Sequence, residues 1–124
     1  MRVNRHPERG HGLSPEEIAY MIARYDEGVL AADAQLGALV RELESRDLLE
    51  DSWLLIISDH GEEFLEHGWL AHGSSLYDSL LRVPLILSLP GVFDGGERVN
   101  ADVQLLDLAP TILSLAGVAD PPPM

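Results

Sequence analysis

The run Trp53-Leu54-Leu55-Ile56-Ile57 is continuously apolar and then stops at Ser58-Asp59-His60-Gly61. Five β-favouring apolar residues without alternation predict a strand buried on both faces, the kind found in a sheet covered by helices on each side. A second apolar run, Pro84-Leu85-Ile86-Leu87-Ser88-Leu89, is closed by Pro90-Gly91 and predicts another buried strand.

Helices flank these runs. Ser14-Pro15-Glu16-Glu17 has the marks of a helix start: a serine N-cap, proline at the first helical position and glutamate three residues after the cap. Ile18, Ile22, Tyr25, Val29, Ala32, Leu36, Val40 and Leu43 then recur at steps of three or four, so an amphipathic helix is predicted to about Arg46. Gly28 and Gly37 each cost such a helix on the order of 1 kcal/mol, and a kink or break is expected there. Leu108, Ile112 and Leu115 predict a second helix, with Asp107 as its cap, Pro110 in its first turn and Gly117 at its end. The order helix, strand, irregular stretch, strand, helix is that of an α/β fold with a mainly parallel sheet and flanking helices. Two central strands need partners, so the isolated chain is expected to be poorly stable or self-associating.

Composition narrows the function. The 124 residues suffice for one domain or part of one. A net charge of -13, with all eight basic residues arginine, excludes nucleic acid and anionic membranes as natural partners. No apolar stretch nears the roughly 18 residues of a membrane span. With no cysteine there is neither a disulfide framework nor a thiolate ligand or nucleophile in these residues. Residues 1–13 form a polar segment without the apolar core of a signal peptide, 14–118 a folded portion, and 119–124 a proline-rich tail.

The chemistry gathers after the first strand. In open α/β sheets ligands sit beyond the carboxyl ends of strands, where Asp59 and His60 fall. A carboxylate beside an imidazole offers oxygen and nitrogen donors to a divalent cation, and Gly61 lets the backbone turn so that both face one crevice. On spacing alone a solvated aspartate in a capped loop is the commoner outcome. His67 reads first as a local hydrogen-bonding residue, Glu62 and Glu63 as surface glutamates, and Arg82 as a loop-to-carboxylate tie; each has a second reading in the surroundings of the site.

The stretches SDHGEEFLEHG, HGSSLYDSLLRVPLIL and VQLLDLAPTILSLAG, in that order, resemble the C-terminal portion of the sulfatase domain in the alkaline-phosphatase superfamily. The helix containing Tyr25, Asp33 and Leu43 resembles the one preceding that family's metal-binding strand. The resemblance implies a partial alkaline-phosphatase-like sandwich and hydrolysis of sulfuric esters at a bound divalent cation: calcium by the sulfatase analogy, or manganese or zinc. By residue matching it implies Asp59 and His60 as metal ligands. His72, ahead of the Arg-x-Pro segment, is implied as the catalytic, substrate-binding group on the ester oxygens or as a second-metal ligand. His67, Glu62 and Arg82 are left as surrounding support. A histidine at 60 also resembles phosphonate and phosphate monoester hydrolases and lipid-headgroup transferases (phosphoethanolamine or phosphoglycerol). The family's C/S-x-P-x-R nucleophile motif is absent from these residues, so the expected partners are a sulfate or phosphate ester and an N-terminal half carrying the nucleophile. A non-catalytic, partner-binding piece is the remaining reading.

Overall fold

The computed structural model describes residues 12–73 and 75–118. Most of the polar N-terminal segment and the proline tail, with the expectations made for them, lie outside the described residues. The chain divides into two compact units, Met1–Asp94 and Gly95–Met124.

In the first unit, helix α1 runs Pro15–Ser45. Its start is the reciprocal capping box anticipated: Glu17 N–H donates to Ser14 Oγ at 3.2 Å, and Ser14 N–H donates to Glu17 Oε2 at 2.7 Å. The helix passes through Gly28 and Gly37 unbroken, so the expected break does not form at either. Glycine weakens a helix through backbone entropy but keeps its N–H, so the hydrogen-bond ladder is intact. The end is a Schellman closure in which Leu48 N–H donates to Leu43 O at 3.0 Å and Asp47 N–H to Glu44 O at 3.0 Å. Asp47 takes the left-handed position with φ 55°.

Strand β1 (Leu54–Ile57) pairs with β4 (Leu85–Ser88), Leu54 opposite Ser88 and Ile57 opposite Leu85. The pairing is antiparallel, which corrects the expected mainly parallel arrangement. A parallel return needs a crossover that carries the chain back along the sheet, usually a helix. Here the connection is spent on a short antiparallel hairpin, β2 (Glu63–Phe64) with β3 (Leu70–Ala71), and a one-turn helix α2 (Asp78–Leu81). The chain therefore enters β4 from the end at which it left β1.

Neither strand is buried on both faces as expected: Ile57 is 44% and Ile86 56% exposed. Among the described residues the sheet holds these two strands alone, so no further strand covers their outer edges. The buried residues among those described are Leu80, Leu89 and, unusually, Glu63. Helix α1 meets the hairpin where Tyr25 and Phe64 pack edge to face at 5.4 Å between ring centres.

In the second unit a 3-10 turn, Leu105–Asp107, leads into α3, Leu108–Leu115. Pro110 is in the first turn of α3 and Gly117 closes it with φ 72°, as anticipated. Asp107 caps a different element from the one expected. Its carboxylate accepts from Gln104 N–H at 2.9 Å, at the start of the 3-10 turn, rather than from α3. The extra turn moves the first unsatisfied N–H groups upstream, and the carboxylate follows them.

Candidate functional site

β1 ends by delivering Ser58, Asp59 and His60 into a turn fixed by its own side chains. Ser58 Oγ donates to His60 O at 2.7 Å, and His60 N–H donates to Asp59 Oδ1 at 3.0 Å. Gly61 N–H then donates to Leu80 O at 2.8 Å, fastening the turn to α2.

The His60 ring has its Nδ1 2.9 Å from Gly61 O. A carbonyl can only accept, so in the neutral ring Nδ1 carries the hydrogen and Nε2 is left with its lone pair. That Nε2 stands 3.7 Å from Asp59 Oδ1, and the Asp59 side chain is 88% exposed. Two ligands each about 2.0–2.5 Å from one cation stand roughly 3–4 Å apart, so the pair fits a shared divalent ion. A backbone carbonyl that takes the other ring N–H is the usual way a histidine ligand is oriented. No third carboxylate or imidazole joins them into a metal-holding set among the described residues.

His72 follows β3 directly, after Ala71 at a left-handed φ of 68° and before Gly73 at 85°. Its ring stacks on that of His60, centres 4.0 Å apart and planes at 27°. Its Nδ1 lies 3.3 Å from both Glu62 oxygens, which as a carboxylate accept its hydrogen. Four of the residues singled out from sequence, Asp59, His60, His72 and Glu62, thus stand together. Glu62, half-buried, serves His72; His60 takes its support from the backbone instead.

His67 has the local role expected of it. Its Nδ1 is 2.7 Å from Glu63 Oε1 and its ring stacks on Tyr77 at 3.6 Å. Glu63 reads from sequence first as a surface glutamate and second as support for His60, yet its side chain is wholly buried and meets His67 instead. Its second oxygen accepts from Ser75 Oγ at 2.7 Å. The short hairpin signalled by Glu63-Phe64 and Leu70-Ala71 around Gly68 is the pattern that would have placed Glu63 inward. Arg82 is exposed and its side chain makes no ion pair among the described residues, so the anticipated loop-to-carboxylate tie is not formed there. Beside Glu62, an open groove of about 260 Å³ lies between α1 and the hairpin, walled by Tyr20, Tyr25, Phe64 and Leu70.

Comparison with known proteins agrees with the motif order. The sulfatase family model matches residues 4–118. The chain is 36% identical to mouse arylsulfatase K over 110 residues and 35% identical to the human protein over 109. These alignments cover 89% and 88% of this chain. It is also 35% identical over 91 residues, 72% of its length, to the sulfatase YidJ of Escherichia coli (strain K12), described as uncharacterized. This chain belongs to the sulfatase family, and with that membership goes an α/β fold of the alkaline-phosphatase type, to which the helices and small antiparallel sheets described above correspond in part. It spans about a fifth of the length of the arylsulfatase K relatives it matches, 20% of each.

Proposed function

We propose that this chain supplies part of the cation site of a sulfatase-type ester hydrolase and that a segment outside it supplies the nucleophile. The observation that carries the reading is the Asp59–His60 pair, 3.7 Å apart at the end of β1 with His60 Nδ1 turned away onto Gly61 O. Membership of the sulfatase family supports ester hydrolysis as the chemistry of this reading.

In this reading Asp59 and His60 hold a divalent cation, calcium by analogy. When bound, such a cation supplies Lewis-acid polarisation of the ester. His72, its Nδ1 held by Glu62, is the group of this set that would meet the ester oxygens on which charge develops. The stack of His72 on His60 keeps those two groups side by side. Ester attack needs a nucleophile, and Asp59 and His60 are occupied as ligands.

The purified chain therefore gives no turnover of aryl sulfate. Joined to a sulfatase N-terminal half that carries the nucleophile, it turns the ester over, and His60→Ala lowers that rate by about 100-fold or more, the size of effect expected for lost electrostatic stabilisation. Metal-dependent turnover by the chain alone, abolished in Asp59→Ala, contradicts the division of labour. Histidine at position 60 favours a second substrate class, so aryl phosphate is assayed beside aryl sulfate; faster phosphate turnover places the protein in the phosphoesterase branch. A joined protein that binds its N-terminal half but turns over neither ester marks the non-catalytic reading.

A further inference from the structure

We propose that Glu63 is a positioning residue for the site, a buried carboxylate that sets where His72 stands relative to Asp59 and His60. The inference rests on the reading of those residues as the site, but its geometric core does not depend on catalysis.

A fully buried glutamate is costly unless its charge is met by hydrogen bonds. Both oxygens of Glu63 are met, and by residues on two different stretches of chain: His67 Nδ1 at 2.7 Å from within the β2–β3 loop, and Ser75 Oγ at 2.7 Å from the segment after His72. As a carboxylate Glu63 can only accept, so the hydrogen on His67 sits at Nδ1. His67 in turn lies flat on Tyr77, ring centres 3.6 Å apart and planes at 10°. Tyr77 is the residue from which α2 begins.

Beyond the β2–β3 pairing and the contacts of His72 with Glu62 and His60, the stretch from Ser75 to Leu81 is held to the chain between 59 and 64 at two places. One is the Glu63 carboxylate, through Ser75 and through His67 and Tyr77. The other is the contact of Gly61 with α2, through Leu80 O. His72 lies on the near side of the Glu63 anchor, three residues before Ser75.

The backbone around His72 shows why anchors are needed. Ala71 is a non-glycine residue at φ 68°, a strained conformation that persists only where the surroundings impose it. The hairpin fixes Ala71 on one side, opposite Glu63 in register, and the Ser75–Glu63 bond fixes the other. Between them stands His72, its ring against that of His60. Two adjacent glutamates thus support His72 in different ways. Glu62 meets its ring directly, and Glu63, buried, holds the segment that follows it.

The test uses the full 124-residue chain, selectively labelled at histidine, in solution or by magic-angle-spinning NMR where it self-associates. Wild type is expected to show a through-space cross-peak between the His60 and His72 rings and a protonated Nδ1 at His67. In Ser75→Ala the His60–His72 cross-peak is lost while the helical circular dichroism of α1 is kept, and Ser75→Thr, which retains the hydroxyl, restores it. Glu63→Met, similar in length but with no acceptor, loses both the cross-peak and the His67 Nδ1–H signature. Should Glu63→Met also lose its helical signal, Ser75→Ala with the Ser75→Thr rescue decides alone. A cross-peak that survives Ser75→Ala, or one absent from wild type, overturns the proposal. Because the readout involves neither metal nor ester, failure of the catalytic reading leaves this result standing, and the reverse.

Discussion

Gly61 lies so close to Ser79 that a β-carbon at residue 61 would stand 1.9 Å from the Ser79 carbonyl oxygen. The neighbour is backbone, which cannot swing aside as a side chain does. Gly61 also donates its N–H to Leu80 O at 2.8 Å, so the contact that excludes a side chain is the one that docks the Asp59–His60 turn on α2.

Gly61→Ala must therefore push α2 and the turn apart. An overpacking cost of about 1–3 kcal/mol is expected, with loss of the Gly61–Leu80 hydrogen bond. Hydrogen exchange at the amide of residue 61, the donor to Leu80 O, measures the loss, and faster exchange is expected in Gly61→Ala. Unchanged exchange would mean that the turn is not docked on α2 in solution.

The apolar side chains left in water predict association. Ile57 and Ile86 on the β1–β4 sheet are 44% and 56% exposed, and among the described residues each strand has an unpaired edge. Edges and apolar faces of this kind recruit further strands. Sedimentation of the purified chain should show species heavier than the 13.6 kDa monomer and no sharp cooperative melt. A monomer with a cooperative transition would contradict this.

Glu16 predicts a pH dependence in α1. Its carboxyl is held below the ordinary glutamate value by hydrogen bonding to the backbone at the helix start and then to Ser14. A lowered folded-state value means that the ionised form is the one favoured by the helix. Its contribution is present above the unfolded-state value and is lost as pH falls through the lowered one. A carbon-13 titration of the Glu16 carboxyl should give a midpoint below that of a glutamate in an unstructured peptide, with fraying of the first turn of α1 at lower pH. A midpoint at or above the peptide value contradicts the cap geometry.

How much of this was legible in the sequence follows the range over which each signal acts. The ends of α1 were legible because capping is local: Ser14 and Glu17 are three residues apart, and the step of three or four survives from Ile18 to Leu43. β1 and β4 were legible as apolar runs. Their direction was not, because an unbroken apolar run reads the same in a parallel and an antiparallel ladder. Asp59 and His60 were legible by place, following a strand that stops abruptly. Glu63 was not, since its burial depends on Ser75, twelve residues on, and on the hairpin fold that turns it inward. Composition ranks a glutamate as exposed, and that ranking fails where two donors converge on it.

The central claim is that Asp59 and His60 hold one cation, and titration of the full chain with manganese, followed by its electron paramagnetic resonance, tests it most directly. Two donors hold a hard ion weakly, so binding in the wild-type chain is expected to be weak, with a dissociation constant in the high micromolar to millimolar range, roughly that of the loosest cation sites. Histidine-labelled NMR in parallel should show paramagnetic broadening strongest at the His60 ring and weaker at His67. Asp59→Ala should abolish both the bound signal and the selective broadening. Equal binding by wild type and Asp59→Ala, with broadening spread evenly over the acidic surface, would show that the ion is held by bulk charge and that the site is not there.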